Sequence, residues 1–291
     1  MSAISVAERP SEPREGEKKA LLNLLADEDP SVYQTIRAKI LTYGFSATRW
    51  LQPSTLSSDA VLRRRAVEII QHLSRQAADN RFLAFCLRQG EELDIEDGAF
   101  LLAQTQYPDV NTQAYQALFD NYAADLREQI GPANSAEQTI AVINHYLFDE
   151  LGYHGNEENY YEPENSYLNR VMDKRTGNPI SLCTIYLAVG RRLRLPIVGI
   201  GMPGHFLCRY QTPTEETLFI DAFNRGKLLT KADCVKYLVH TRDGFKDAYL
   251  APISARRSLW RMCSNLHQIY SELSLSDEAA RFQRYVAALS K

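Results

Sequence analysis

Residues 160–210 read YYEPENSYLNRVMDKRTGNPISLCTIYLAVGRRLRLPIVGIGMPGHFLCRY, and residues 218–229 read LFIDAFNRGKLL. Asn178 and Pro179 predict a helix start, because Asn caps helix N-termini and Pro fits the first helical position. The helix then runs through ISLCTIYLAVGRRL and ends at Pro196. Segments rich in Val, Ile and Phe follow and predict three strands, IVGIGM, HFLCRY and LFIDAF. A helix followed by consecutive strands predicts a helix-rich α+β fold with a small antiparallel sheet.

Three groups with catalytic chemistry occur in order within these segments: Cys183, His205 and Asp221. A thiol becomes a nucleophile when a His takes its proton and a carboxylate orients that His. The order predicts a candidate cysteine nucleophile with an oriented base. The alternative is that Cys183 is a buried structural thiol on the side of the helix that packs against the sheet.

The composition limits the classes of partner. The 291-residue chain has a net charge of -3, and 45% of its residues are hydrophobic, so it can bury an ordinary core. The slightly acidic balance gives no general attraction to nucleic acid or to an anionic membrane. No window approaches the length of apolar sequence that a membrane span needs. We therefore expect a protein or peptide partner, with no nucleic acid and no membrane; the sequence does not predict the oligomeric state.

The five cysteines are scattered and form no CxxC pair. Their odd number argues against a disulfide framework, and their spacing argues against a thiolate zinc site. The N-terminal segment MSAISVAERPSEPREGEKK lacks an apolar signal region. These features predict a cytoplasmic protein without a cofactor.

The chain divides into four predicted parts. Residues 1–19 are polar and predict a disordered tail. Residues 20–133 predict short paired helices that resemble HEAT-like hairpins, and residues 134–250 hold the α+β segment. Residues 251–291 predict a helical hairpin similar to a tetratricopeptide unit.

A loop dense in Tyr and acidic residues precedes the central helix, with the sequence YHGNEENYYEPENSYLN. Asn165 and Asn169 can cap and hydrogen-bond the loop from within. The loop is either an Ω-type loop packed by its own tyrosines or one wall of a cleft. The candidate binding residues are Tyr161, Asn165, Asn169, Asn178, Asn224 and Arg225.

Four separated blocks, YYEPENSYLNRV, GNPISLCTIYLAVGRRLRLP, GMPGHFL and IDAFNRG, resemble the SirB family of bacterial proteins, a branch of the transglutaminase-like superfamily. The resemblance implies a helical N-terminal region, a transglutaminase-like core and a tetratricopeptide-like C-terminal end. It also implies a Cys at a helix start, a His on one strand and an Asp on the next. His205 and Asp221 match the last two positions.

The nucleophile position of the superfamily falls at Pro179 when the helix is aligned on its RRLRLP end. Pro has no ionisable group and cannot attack a carbonyl. Ser181 points well away from that position, and Cys183 points near the same direction but lies about 6 Å further along the helix axis. Either thiol catalysis has been lost, or Cys183 or Ser181 acts as nucleophile after a shift of the helix.

The leading hypothesis is a degenerate transglutaminase-like core that binds a peptide or protein partner in the former active-site cleft. The alternative is a cysteine peptidase or acyltransferase that uses Cys183, His205 and Asp221. A metal site is not expected, because His205 and Asp221 provide only two ligands unless His154 and acidic neighbours fold over them.

Overall fold

The structure is a computed structural model, and it describes residues 12–88, 93–131, 134–211 and 217–290. The described residues fall into two compact units. The first lies within Met1–Arg81 and Gln104–Asp109, and the second within Phe82–Ala103 and Val110–Lys291. Most of the predicted disordered tail lies outside the described residues, but helix α1 begins inside its range, at Glu15.

The first unit is built from helices. They are α1 (Glu15–Leu25), α2 (Pro30–Thr42), α3 (Ala47–Leu51) and the N-terminal part of α4 (Ala60–Cys86). Asp59 caps α4, because its carboxylate accepts the backbone N–H groups of Val61 and Leu62. The core of the unit is a cluster of buried apolar side chains that includes Leu25, Ile40, Leu51, Ile69 and Leu73.

The second unit contains the remaining helices. They are the C-terminal part of α4, then α5 (Ile95–Gln106, of which the last residues belong to the first unit), α6 (Thr112–Gln129), α7 (Ala136–Asn144), α8 (Leu168–Lys174), α9 (Pro179–Arg192), α10 (Lys231–Val239), α11 (Ala255–Glu272) and α12 (Ser276–Leu289). A π-helical segment, His145–Glu150, continues α7. Every helix among the described residues is too short or too polar to pass through a lipid bilayer.

The main sheet of the second unit has four antiparallel strands in sequence order: β3 (Ile197–Ile200), β4 (Leu207–Tyr210), β5 (Leu218–Asp221) and β6 (Lys227–Leu229). Cys208 of β4 is paired with Gly199 on one side and Ile220 on the other. A short parallel pair joins β1 (His154–Gly155) to β2 (Thr176–Gly177). The predicted α+β fold with a small antiparallel sheet is confirmed.

The sheet differs from the prediction at its far edge. The sequence predicts three strands, but residues 227–229 form a fourth, β6, which pairs with β5. The reason is the turn between them: Arg225 and Gly226 both have positive φ, and the Gly226 N–H bonds to the Asp221 carbonyl. This tight turn reverses the chain and carries it back along β5.

Helix α9 is the centre of the second unit. Nearly all its residues from Pro179 to Gly190 are buried, which is typical of a helix covered on all sides. It contacts β3 and β4 on one face of the sheet, and α10 covers the other face through Cys234 and Leu238. This packing places the N-terminus of α9 beside the loops that lead into β4 and out of β5.

The C-terminal helices α11 and α12 form the predicted hairpin and pack along most of their lengths. Tyr270 of α11 stacks on Phe282 of α12 with ring centroids 5.4 Å apart. The Tyr270 hydroxyl also lies 2.9 Å from that of the buried Tyr167. The hairpin is therefore packed into the second unit, and its likeness to a tetratricopeptide unit stays a prediction.

Candidate functional site

The structure brings His205 and Asp221 together. His205 lies in the loop before β4, directly after Gly204, whose φ of 73° belongs to the left-handed region that favours glycine. Asp221 is the last residue of β5. Nε2 of His205 lies 2.9 Å from Oδ2 of Asp221, and both side chains are largely buried.

Asp221 is held as a carboxylate. Burial raises the pKa of this carboxyl, but the His205 ring and the neighbouring Asn224 outweigh that effect and leave the pKa below its ordinary value. Asn224 donates its side-chain N–H to Oδ2 at 2.8 Å and its backbone N–H to Oδ1 at 3.2 Å. With Nε2 fixed on Asp221, Nδ1 of His205 has no hydrogen-bond partner in the described part of the chain and can serve a ligand.

Cys183 makes no hydrogen bond to either member of this pair in the described part of the chain. Its side chain is fully buried, and its Sγ lies 3.5 Å from the backbone carbonyl of Phe206, to which the thiol donates. Burial raises the pKa of this thiol well above its ordinary value, and the neighbouring Cys208 and Asp221 raise it further. A thiol of this kind stays protonated at neutral pH, so the arrangement argues against the catalytic role considered for Cys183.

Pro179 and Ser181 lie in the first turn of α9. Asn178 accepts the Ser181 N–H through Oδ1, and the Ser181 hydroxyl accepts the Asn178 N–H, which completes a capping box. The Ser181 hydroxyl also lies 2.7 Å from the carbonyl oxygen of Asn165, and the whole side chain is buried. Pro179 occupies the first helical position and lines the same two cavities as His205.

Two cavities meet beside His205. The smaller has a volume of about 260 Å³ and the larger about 730 Å³. Both are lined by Tyr160, Pro179, Gly204 and His205, so the two lie side by side at the start of α9. We call these two cavities together the cleft.

The tyrosine-rich loop lines the cleft and is also held by hydrogen bonds within itself. Tyr161 is 62% exposed and lines the smaller cavity, as a cleft wall would. Asn165 has a structural role, because its side-chain amide donates to the carbonyls of Asn159 and Tyr160 and accepts from Asn156. These bonds pin the loop from within.

The other candidate binding residues lie at different depths. Asn169 is buried in α8, and its Oδ1 has no hydrogen-bond partner among the described residues. Asn178 is buried but still lines the smaller cavity. Asn224 lines the larger one, and Arg225 turns away from the cleft to donate to the Phe148 carbonyl.

A third cavity, of about 740 Å³, contains Arg225 together with His154, Glu157 and Glu158. Within the described ranges, no three His, Cys, Asp or Glu side chains converge in a way that could hold a metal ion.

Sequence reasoning missed one wall of the cleft. Arg261, Asn265 and Gln268 line the smaller cavity from α11. They follow one another at helical spacing and make a polar stripe beside the apolar one of Leu259, Met262 and Leu266. The sequence does show this polar stripe, which could have marked the helix as part of a binding surface. Nothing in the sequence indicates that the helix packs beside His205.

The sequence profile of the Transglutaminase-like superfamily matches residues 113–264. That range covers more than half of the chain and includes His205, Asp221 and Arg261. The chain belongs to the transglutaminase-like superfamily.

Relatives occur in bacteria and animals. A UPF0162 protein of Xylella fastidiosa (strain 9a5c) is 38% identical over 199 residues, which are 66% of this chain and 70% of that protein. A UPF0162 protein of Pseudomonas aeruginosa is 29% identical over 155 residues, 50% of this chain and 55% of that one. F-box only protein 21 of Homo sapiens is 27% identical over 230 residues, 69% of this chain but 36% of that protein. No solved structure matches the chain.

Proposed function

We propose that the chain binds an extended peptide segment of a protein partner in the cleft and that it does so without thiol catalysis. The observation that carries the proposal is a cleft that keeps its His–Asp pair but has no accessible thiol beside it. His205 and Asp221 keep a hydrogen-bonded arrangement at 2.9 Å, while Pro179 stands at the helix start and the thiol of Cys183 is buried.

The shape and lining of the cleft support a peptide ligand. The two cavities extend to either side of His205, and their lining mixes aromatic rings with amide and charged groups. Aromatic side chains such as Tyr160 and Tyr161 supply contact area at a low cost in conformational entropy. Nδ1 of His205 adds one directed hydrogen bond beside them.

The proposal extends to lineage and location. The four sequence blocks support a place in the SirB branch of the superfamily, with a tetratricopeptide-like C-terminal hairpin. All five cysteines are free thiols, which supports the cytoplasm as the site of action, because thiols stay reduced there.

The test uses an array of synthetic octapeptides of varied sequence. Fluorescein-labelled copies of the bound peptides are then titrated with the full-length chain, and binding is followed by fluorescence anisotropy. We expect His205→Ala and Tyr161→Ala each to weaken binding about fivefold or more, since buried polar contacts and interface tyrosines contribute at this scale. Tyr161 is exposed, so its variant should fold even where that of His205 does not.

The matched control is His72→Ala, an exposed His on α4 in the first unit, which should bind like the unaltered chain. Circular dichroism checks that each variant is folded. The proposal is wrong if no octapeptide binds, or if Tyr161→Ala and a folded His205→Ala both bind as well as His72→Ala.

A further inference from the structure

Arg261 is a cation at the wall of the cleft. One of its guanidinium nitrogens, Nη2, donates to the backbone carbonyl of His205 at 3.1 Å. The guanidinium also lies over the ring of Phe206, 5.6 Å from its centroid. These two contacts fix the group beside the candidate site, and they use only one of the five N–H donors that an Arg carries.

The charge of Arg261 has no acidic counterpart in the described part of the chain. Three partly buried arginines of this unit pair with carboxylates: Arg170 with Glu164, Arg192 with Glu96 and Arg281 with Glu278. Two others, Arg175 and Arg209, donate instead to tyrosine hydroxyls and to a backbone carbonyl. No Asp or Glu lies within ion-pair distance of Arg261 among the described residues, and none lines the smaller cavity.

The surroundings of Arg261 also disfavour its charge. Burial lowers the pKa of this guanidinium, and the nearby Arg257 acts in the same direction, while Tyr160 and Tyr237 oppose this only in part. A partly desolvated cation without a counter-charge is costly, because it has lost water and gained no anion in return. An anionic ligand that enters the cavity would remove that cost.

We propose that Arg261 anchors a carboxylate of the bound peptide, which is either an acidic side chain or the C-terminal carboxylate. This inference rests on the proposed peptide-binding function and names the chemistry that the cleft selects. A carboxylate matches the fork of the guanidinium and can accept two parallel N–H bonds from it. Asn265 and Gln268, which line the cavity on the same helix, supply amides for the neighbouring peptide groups.

The experiment uses matched peptides. Each octapeptide that binds is synthesised in four versions, with Asp and Glu kept or replaced by Asn and Gln, and with a free or an amidated C-terminus. We expect the full-length chain to bind one carboxylate form at least about tenfold more tightly than the version that lacks that carboxylate. The version that loses affinity tells which source of carboxylate the cleft takes.

The variants assign that preference to Arg261. Arg261→Gln should remove the difference between carboxylate and amide versions, and Arg261→Lys should keep part of it because the charge stays. The matched control is Arg257→Gln, an exposed Arg one turn earlier on α11 that lies over the Trp260 ring. It should keep the full preference.

The experiment gives different results when the carboxylate anchor is wrong and when peptide binding itself is wrong. If the unaltered chain binds all four versions equally, the carboxylate anchor is wrong while peptide binding stands, and this comparison needs no variant. A preference that persists in folded Arg261→Gln also overturns the role of Arg261. If no octapeptide binds at all, the proposed function fails, and the anchor fails with it.

Discussion

At the scale of single residues, the hydrogen bond between His205 and Asp221 makes the stability of the folded chain depend on pH. The pKa of the Asp221 carboxyl lies below its ordinary value, because the His205 ring and Asn224 outweigh the opposing effect of burial. A carboxyl with a lowered pKa in the folded chain stabilises that chain above the pKa of the unfolded state, about 3.9. The contribution is lost as the pH falls through the folded value.

The Asp221→Asn variant tests this linkage. We expect its unfolding free energy to lie below that of the unaltered chain near pH 5, and the gap to shrink as the pH falls from about 4 toward 2. Urea unfolding at a series of pH values measures the gap. The exposed Asp243→Asn serves as control and should show little gap at any pH. A gap that widens toward low pH would show that the sign of the Asp221 effect is opposite to the one derived.

Cys183 gives a second prediction at this scale. Its thiol is fully buried, and burial raises its pKa well above the ordinary value. We expect iodoacetamide at neutral pH to leave Cys183 unmodified in the folded chain, since alkylation needs an accessible thiolate. Mass spectrometry of the digested protein measures the labelling of each thiol.

The same reagent on the urea-unfolded chain is the control and should label all five cysteines. If Cys183 in the folded chain reacts ahead of the other four, it is an activated nucleophile, and the proposal of binding without thiol catalysis loses its main support.

The sequence predicts one half of the cleft and misses the other. His205 and Asp221 are found because one lies just before and the other ends a short strand of the sheet, where local patterns indicate the position of a side chain. Arg261 is found only in the structure, because its place beside His205 depends on how a C-terminal helix packs over a distance of 56 residues along the chain. The amphipathic pattern predicts that helix, but it does not predict which part of the fold the helix packs against.

At the scale of elements, the start of α9 is the feature that sequence predicts best. Asn178 caps the helix and Pro179 is its first residue, as their chemistry requires. The end of the sheet is predicted less well: strand β6 is only three residues long and depends on a turn with two positive φ angles. Such a short strand has no periodic pattern to detect.

The cap at Asn178 leads to a stability prediction. Asn178→Ala removes the acceptor of the Ser181 N–H and the donor to the buried Ser166 hydroxyl. We expect a loss of about 1–2 kcal/mol in unfolding free energy, measured by urea unfolding. Asn178→Asp keeps the capping oxygen and should lose less. An Ala variant as stable as the unaltered chain would mean that the cap does not hold the helix start.

At the scale of the whole molecule, the second unit is closed by segments from its two ends. Arg256 of α11 donates to the backbone carbonyls of Cys86 and Arg88, and Phe82 meets Tyr285 edge to face with centroids 4.8 Å apart. The C-terminal hairpin thus holds the beginning of this unit and also carries Arg261 into the cleft. The geometry of the site depends on contacts between residues far apart in sequence.

Leu259 is the residue that tests this closure. It is fully buried on α11 and packs so closely on Gly98 of α5 that a Cβ added there would lie 2.5 Å from its Cδ1. We expect Leu259→Ala to lower the unfolding free energy of the second unit by about 2–4 kcal/mol, because it leaves a cavity between the two helices. The control is Leu273→Ala at the end of the same helix, which is 54% exposed and should change stability by less than about 0.5 kcal/mol. Urea unfolding followed by circular dichroism measures the unfolding free energy of both variants. If Leu259→Ala loses no more stability than Leu273→Ala, the hairpin contributes little to the closure of the unit.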